Sequence, residues 1–265
     1  MSTQKKEVMI VVGAGQLSMA IARRVGFGMK IVLGDKKKEN ADTIAKIMND
    51  AGFDVMPMEM DLSSRESILN LISEAQKYGP ITRLVNGAGV SPSQAPIAAI
   101  LKVDLYGTAV LLEEVGKVIA EGGSGVTISS QSGWRMPALT AEQDELLATT
   151  PTEELLKLEM LQPENIRDTL HAYQMAKRCN EKRVMAESVK WGVRAVGFWI
   201  AGYGVYAFLK RDIGSYMFLK NQFVFFDFEE PLILFLLDYI AVMGLFVCVG
   251  HYIAQRLKGT VRRRN

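Results

Sequence analysis

A chain of 265 residues with 49% hydrophobic residues can hold one large domain, or one domain with an appendage. Its 31 Lys and Arg against 29 Asp and Glu leave a net charge of +2, which argues against a nucleic-acid partner held by electrostatics. Two cysteines, Cys179 and Cys248, lie far apart without ligand spacing, so neither a disulfide framework nor a metal site is suggested.

Residues 1–7 are polar and lead straight into an apolar strand, so no secretory leader is read and the first domain is expected in the cytoplasm. Short β-type runs follow at 8–12, 30–33, 54–58, 83–85 and 126–129. Stretches of helical length and mixed polarity lie between them, at 19–25, 38–51, 64–78 and 98–121. Strand and helix in alternation imply an α/β fold, a Rossmann-like doubly wound parallel sheet. Right-handed crossovers put the carboxyl ends of all strands on one edge, where ligands of such sheets bind.

After the first strand comes Gly13-Ala14-Gly15-Gln16-Leu17-Ser18, opening a helix. Glycines there permit a tight turn and let backbone N–H groups approach a pyrophosphate at the positive end of the helix. Asp35 lies twenty residues beyond Gly15, at the end of the second strand, where a carboxylate can hold a ribose diol. It would repel a 2′-phosphate, which favours NAD over NADP. The lysines at 36 to 38 weaken that preference unless they form a solvated charge run.

Further on, 171–177 reads His-Ala-Tyr-Gln-Met-Ala-Lys, with a phenol and an ammonium at i and i+4 on one helix face. A free tyrosine has a pKa of about 10; a fixed positive charge nearby stabilises its phenolate and makes acid/base chemistry near neutrality feasible.

In this order the motifs resemble the short-chain dehydrogenase/reductase family over roughly residues 7–192. Asp61-Leu62 follows the third strand where that family contacts the adenine, and Asn86-Gly87-Ala88-Gly89 is similar to its Asn-Asn-Ala-Gly element beside the cofactor. Ile128-Ser129-Ser130 resembles its catalytic-serine segment, with Ser130 the active serine, and Tyr173 with Lys177 matches its Tyr-x-x-x-Lys. The resemblance implies a small-molecule substrate whose alcohol and carbonyl forms are interconverted with NAD or, less favoured, NADP. It gives Tyr173 proton transfer, Lys177 the nicotinamide ribose and the phenol's ionisation, and Ser130 the substrate oxygen. It also implies a homo-oligomer paired through helices near 98–121 and 173–190.

Four departures accompany the resemblance. The glycine loop is one residue short and carries Ser18 in place of its last glycine, which is expected to loosen helix-to-strand packing. Asp104 stands where the family has an asparagine supporting a water relay; as a candidate catalytic residue it can accept from that water but not donate when ionised. Between Ser130 and Tyr173 an acidic stretch, about 138–170, reads either as a lid or subunit contact or as a solvated helical excursion. Beyond residue 192 the family's sixth strand and substrate loop are not found in the sequence.

The expected domains are therefore 1–193, dinucleotide-binding, and 194–265, an apolar helical tail inserted in a membrane. Its two candidate spans are 195–209, uncharged, and 232–253, interrupted by Asp238 and His251 and ending in Arg256, Lys258 and Arg262 to Arg264. Two crossings would keep both ends in the cytoplasm and place the tail against membrane lipid. The alternatives are a soluble cytoplasmic chain whose tail runs are buried elements, and a tail foreign to the domain. A catalytically impaired nucleotide-binding or membrane-anchored interaction protein, or a membrane-assembly subunit, is the alternative to an enzyme.

Overall fold

The structure, a computed structural model, describes residues 6–191 together with the backbone of 195–201. Strand β1, Val8–Val12, is buried at all five residues, because it lies inside a sheet covered on both faces. Around it run β2, Lys30–Asp35; β3, Asp54–Glu59; β4, Ile81–Asn86; β5, Gly123–Ile128; and β6, Ala195–Ala201. The spatial order is β3-β2-β1-β4-β5-β6, and every neighbouring pair is parallel. The winding reverses between β1 and β4, which opens a crevice beyond their carboxyl ends.

Two helices, α1 (Gln16–Val25) and α2 (Lys38–Asp50), cover the face that carries Met9, Val11 and Val85. Helices α3 (Arg65–Tyr78) and α5 (Thr108–Val118) cover the other, with Ile68, Leu71, Val110 and Leu111 against Val8, Ile10 and Val12. Leading into α5 are a single α-turn, α4 (Ile97–Ile100), and a π-helical stretch, Leu101–Gly107. Such wide turns interrupt helices mostly where a side chain must be re-aimed for function, and this one carries Asp104.

Residues 138–170 form α6 (Ala141–Thr149), started by a reciprocal Thr140–Gln143 cap, and three 3-10 turns, Thr152–Lys157, Glu159–Leu161 and Pro163–Asn165. Leu147, Leu155, Leu161 and Ile166 from this stretch are buried against Leu105, Ala109, Met175 and Ala176. Removing four such side chains from water contributes roughly 6–12 kcal/mol before ordering costs. The stretch is therefore part of the folded body, and the reading as a solvated excursion is set aside. The long helix α7, Thr169–Trp191, lies between it and the sheet side of the molecule, ending with Trp191 buried on the α5 backbone.

Strand β6 corrects two expectations. The family's sixth strand is present, paired to β5 from Gly123↔Ala195 to Ile128↔Ala201, so the sheet runs past the expected boundary at residue 193. Those same seven residues begin the first candidate span, 195–209, so the two-crossing hairpin loses its first helix. The confusion has a physical source: a strand in a sheet covered on both faces and a membrane span both read as uninterrupted apolar runs. The run 232–253 lies outside the described residues. Among the described residues no helix is long and apolar enough to cross a membrane.

Candidate active site

The turn after β1 is built from close backbone contact. Gly13 adopts φ +91°, and a Cβ there would lie 2.7 Å from the Ala88 nitrogen, so neither a side chain nor a β-conformation fits. Its N–H donates to the Gly34 carbonyl and the Gly87 N–H to the Val12 carbonyl, joining three strand ends. Gly15 then caps α1 without a side-chain hydrogen bond, and a Cβ on Gly15 would meet nothing within 4 Å. Residues 15–17 are exposed and no acidic side chain occupies the first turn. An open helix N-terminus with free N–H groups is what a pyrophosphate needs, so the residues present fit a dinucleotide.

Asp35 stands at the end of β2, accepting the Ala14 N–H at 2.8 Å and the Lys37 N–H at 2.9 Å. The carboxylate thus fixes the glycine turn while keeping a lone pair for a diol. Beside it Lys36 pairs with Asp61 at 2.9 Å, and the Ser63 N–H and hydroxyl bind the other Asp61 oxygen. Burial works against ionisation of Asp61, but Ser63 and Lys36 prevail and hold its carboxyl below the usual range. Leu62 is buried, and a Cβ on Gly107 would lie 2.2 Å from its carbonyl oxygen, so the π-helical stretch rests directly on the Asp61-Leu62 turn.

Ser18 is 1% exposed, and its Oγ would sit 2.2 Å from a Cβ on Gly87. The serine does not loosen the helix against the strand: the glycine missing from α1 is matched by a glycine at 87, where the resembling family has an asparagine. Asn86 points into the core and donates to the Thr108 hydroxyl at 3.3 Å, a partner nothing in the sequence singled out.

The next two residues of that loop reach the centre. Gly89 packs on the Asp104 carboxylate, and the Val90 N–H donates to Asp104 Oδ1 at 2.8 Å. Asp104 Oδ2 lies 3.1 Å from Lys177 Nζ, with both side chains buried. Lys177 Nζ is also 5.2 Å from the centre of the half-buried Tyr173 ring. From the other side the Ser129 hydroxyl donates to the Lys177 carbonyl at 3.0 Å, and Ser130 starts a 3-10 turn, Gln131–Gly133, by accepting the Ser132 N–H at 3.2 Å. One unbroken series of contacts thus runs from Asp35 through Gly13, Ala88, Gly89, Asp104 and Lys177 to Tyr173 and the serine turn. Gln16 and Leu17 lie on its open rim.

Sequence reasoning missed Ser129 as the residue that docks the end of β5 on α7, and missed Trp134, Arg178 and Asp144 behind it. No local spacing announces them, because each partner comes from a different element. The remaining described cysteine is not a nucleophile: full burial pushes the Cys179 thiol up to about 12.

A doubly wound sheet with an open glycine turn at its switch point and a Tyr-Lys pair across the crevice defines a nucleotide-binding α/β protein. The family model for short chain dehydrogenase matches residues 7–141, and the chain belongs to that family. It is thereby one of the NAD(P)-dependent oxidoreductases. It is 34% identical over 195 residues to a short-chain dehydrogenase/reductase, bsc3, of Alternaria brassicicola, covering 71% of this chain and 69% of that one. It is 29% identical to a tropinone reductase-like protein of Erythroxylum coca, over 51% of this chain and 57% of that relative's length. A short chain dehydrogenase from Burkholderia cenocepacia in complex with NADP shares the fold, with a TM-score of 0.55 and 19% identity over 75% of this chain and 74% of its own.

Proposed function

We propose that the chain interconverts an alcohol and a carbonyl, with Tyr173, Lys177, Ser130 and Asp104 as the working residues and NAD as the preferred cofactor. The observation that carries this reading is the position of Lys177. Its ammonium faces the Tyr173 ring, its carbonyl receives Ser129, and its partner Asp104 lies against the loop that packs on Gly13.

The dinucleotide, when bound, supplies or takes up the hydride. Gly13, Gly15, Gln16 and Leu17 would hold its pyrophosphate, Asp35 a ribose diol, Asp61 and Leu62 the adenine, and Gly87 and Ala88 the wall beside it, with Asn86 anchoring that loop to Thr108 from the core side. Tyr173 gives its phenolic proton to the carbonyl oxygen in reduction and takes the alcohol proton in oxidation. Lys177 steadies the charge that this leaves on the phenol. Ser130 donates a hydrogen bond to the substrate oxygen and so opposes its developing charge. Val90, Met136 and Leu139 are half-buried apolar groups packed on the same cluster as Tyr173, which suits a largely hydrocarbon substrate.

The test is a panel of cyclic and aliphatic ketones with NADH and with NADPH, on wild type and Tyr173→Phe. Proton transfer contributes at least about 100-fold, so the variant should fall by that much while keeping NADH affinity. A variant retaining more than about a tenth of wild-type turnover overturns the chemistry.

A further inference from the structure

The serine turn is fastened to α7 from behind by groups that take no part in the chemistry proposed above. We propose that Trp134, Arg178 and Asp144 form a positioning device that holds the Ser130 turn in place, and that Glu181 sets how tightly it holds. This deepens the reading of the Tyr/Lys/Ser site and rests on it for its catalytic consequence.

Trp134 closes the turn that Ser130 opens, its N–H donating to the Gln131 carbonyl at 3.0 Å. The Arg178 guanidinium lies 4.1 Å from the centre of the Trp134 ring, stacked on its face. A Cβ on Gly133 would come within 2.8 Å of the Arg178 nitrogen, so turn and helix are already in backbone contact. Asp144, from α6, grips Arg178 with both oxygens, Nε to Oδ1 at 2.8 Å and Nη2 to Oδ2 at 2.5 Å. Lys182 adds a second cation 3.2 Å from Oδ2. Burial opposes ionisation of Asp144, yet Arg178 and Lys182 together hold its carboxyl below the usual range. Only a planar fork can lie on an indole and bind a carboxylate edge-on at once, so arginine is required at 178. The inserted helix α6 thereby acts on the candidate serine through one line of contact.

Glu181 lies one helical turn past Lys177 and is 4% exposed. The groups that face it are Arg178 and Lys182 of its own helix, Asp144 of α6 and the Trp134 indole of the serine turn. The indole donor and both cations favour the ionised carboxyl, and Asp144 opposes it. Burial is the largest influence and pushes the Glu181 carboxyl up to about 7. When ionised it attracts Arg178, whose Nη1 is 3.9 Å away, and the donor edge of the indole; when protonated it loses both attractions. The device is therefore tight above neutrality and loose below it.

Tryptophan fluorescence of the full chain, without cofactor, tests the device independently of turnover. The difference between wild type and Trp134→Phe isolates the Trp134 signal. It should titrate near neutrality, with a midpoint within about one unit of pH 7, and lose that titration in Glu181→Gln. A flat Trp134 signal across that range, or an unchanged titration in Glu181→Gln, overturns the proposal even if no ketone is turned over. With a ketone the panel identifies, Arg178→Lys should lower kcat about tenfold, Asp144→Asn less, with the KM for NADH within about twofold. The rise of wild-type kcat through neutrality should flatten in Glu181→Gln. An Arg178→Lys kcat equal to wild type overturns the positioning role. A normal fluorescence titration beside a fully active Tyr173→Phe would instead sink the proposed proton transfer and leave the device standing.

Discussion

The Lys177 ammonium lies 3.1 Å from the Asp104 carboxylate, and both side chains are buried. A family asparagine would leave that lysine with its full charge; here a carboxylate offsets it. Asp104 is held in turn by the Val90 N–H and by the wide turn of the π-helical stretch. The carboxylate therefore offsets part of the positive charge that lies beside the Tyr173 ring.

Asp104→Asn keeps the shape and an acceptor for Val90 but removes the negative charge. The lysine's field then falls undiminished on Tyr173, and the pH profile of alcohol oxidation should move to lower pH. Asp104→Ala instead leaves a buried ammonium without a counter-charge and should cost about 3 kcal/mol of stability, read by urea unfolding. A pH profile for Asp104→Asn that overlays wild type would show that the carboxylate does not moderate the lysine.

Most of the sheet and its ligand edge were legible in the sequence. All five expected strands form, because runs such as 8–12 are apolar enough to be nothing else once helices alternate with them. The glycine turn and the Tyr173–Lys177 pair were legible because each depends on neighbours in sequence. The sixth strand was not, since periodicity cannot separate a strand's uninterrupted apolar run from a membrane span. Nor was the role of 138–170: α6 has almost no one-sided pattern, and only Leu147 of its nine residues is buried. Thr108 on Asn86 and Arg178 on Trp134 join residues from different elements, and no single sequence displays such pairings.

One Asp35 oxygen holds the glycine turn through the Ala14 N–H, and the other accepts the Lys37 N–H and, at 3.5 Å, the Asn40 amide, which leaves a lone pair on the first oxygen for a diol. Asp35→Asn retains one acceptor and loses the charge. It should weaken NADH binding about tenfold, the loss of one charge-assisted bond, while NADPH binding improves as repulsion of the 2′-phosphate disappears. Fluorescence titration with the two cofactors measures both changes. Equal losses for both would show that Asp35 serves the turn and not the choice of cofactor.

Ser18 and Gly87 share one space, so their effects on stability should be coupled. Gly87→Ala drives a methyl group onto Ser18 Oγ and should cost roughly 1–3 kcal/mol, as overpacking does. Ser18→Gly removes the obstruction and should recover most of that loss in the double variant, despite glycine's own helix cost of about 1 kcal/mol. Additive losses in denaturant unfolding would mean the two positions do not meet.

The 3-10 turn at Thr152–Lys157 is tied to the body through carboxylates, which makes its attachment acid-sensitive. Thr152 donates to Glu113 at 2.6 Å, and Arg65 bridges Glu113, Glu114 and Glu153. Burial opposes ionisation of Glu113, but bonds from Thr152, Lys117 and Arg65 outweigh it and bring its carboxyl down to about 2 from an ordinary 4.5. A depressed folded-state value contributes stability that is complete above pH 4.5 and is lost as pH falls from there towards 2. With the side chain 31% exposed, solvent screening reduces that contribution to about 1–2 kcal/mol. Glu113→Gln should therefore be less stable than wild type at neutral pH and should approach it below pH 4, because wild type alone has ionisation to lose. Urea unfolding from pH 7 to pH 3, with protease sensitivity of the 150–157 backbone alongside, measures this. A constant difference between the two proteins across that range would show that the attachment rests on packing of Leu155 and not on the charge cluster.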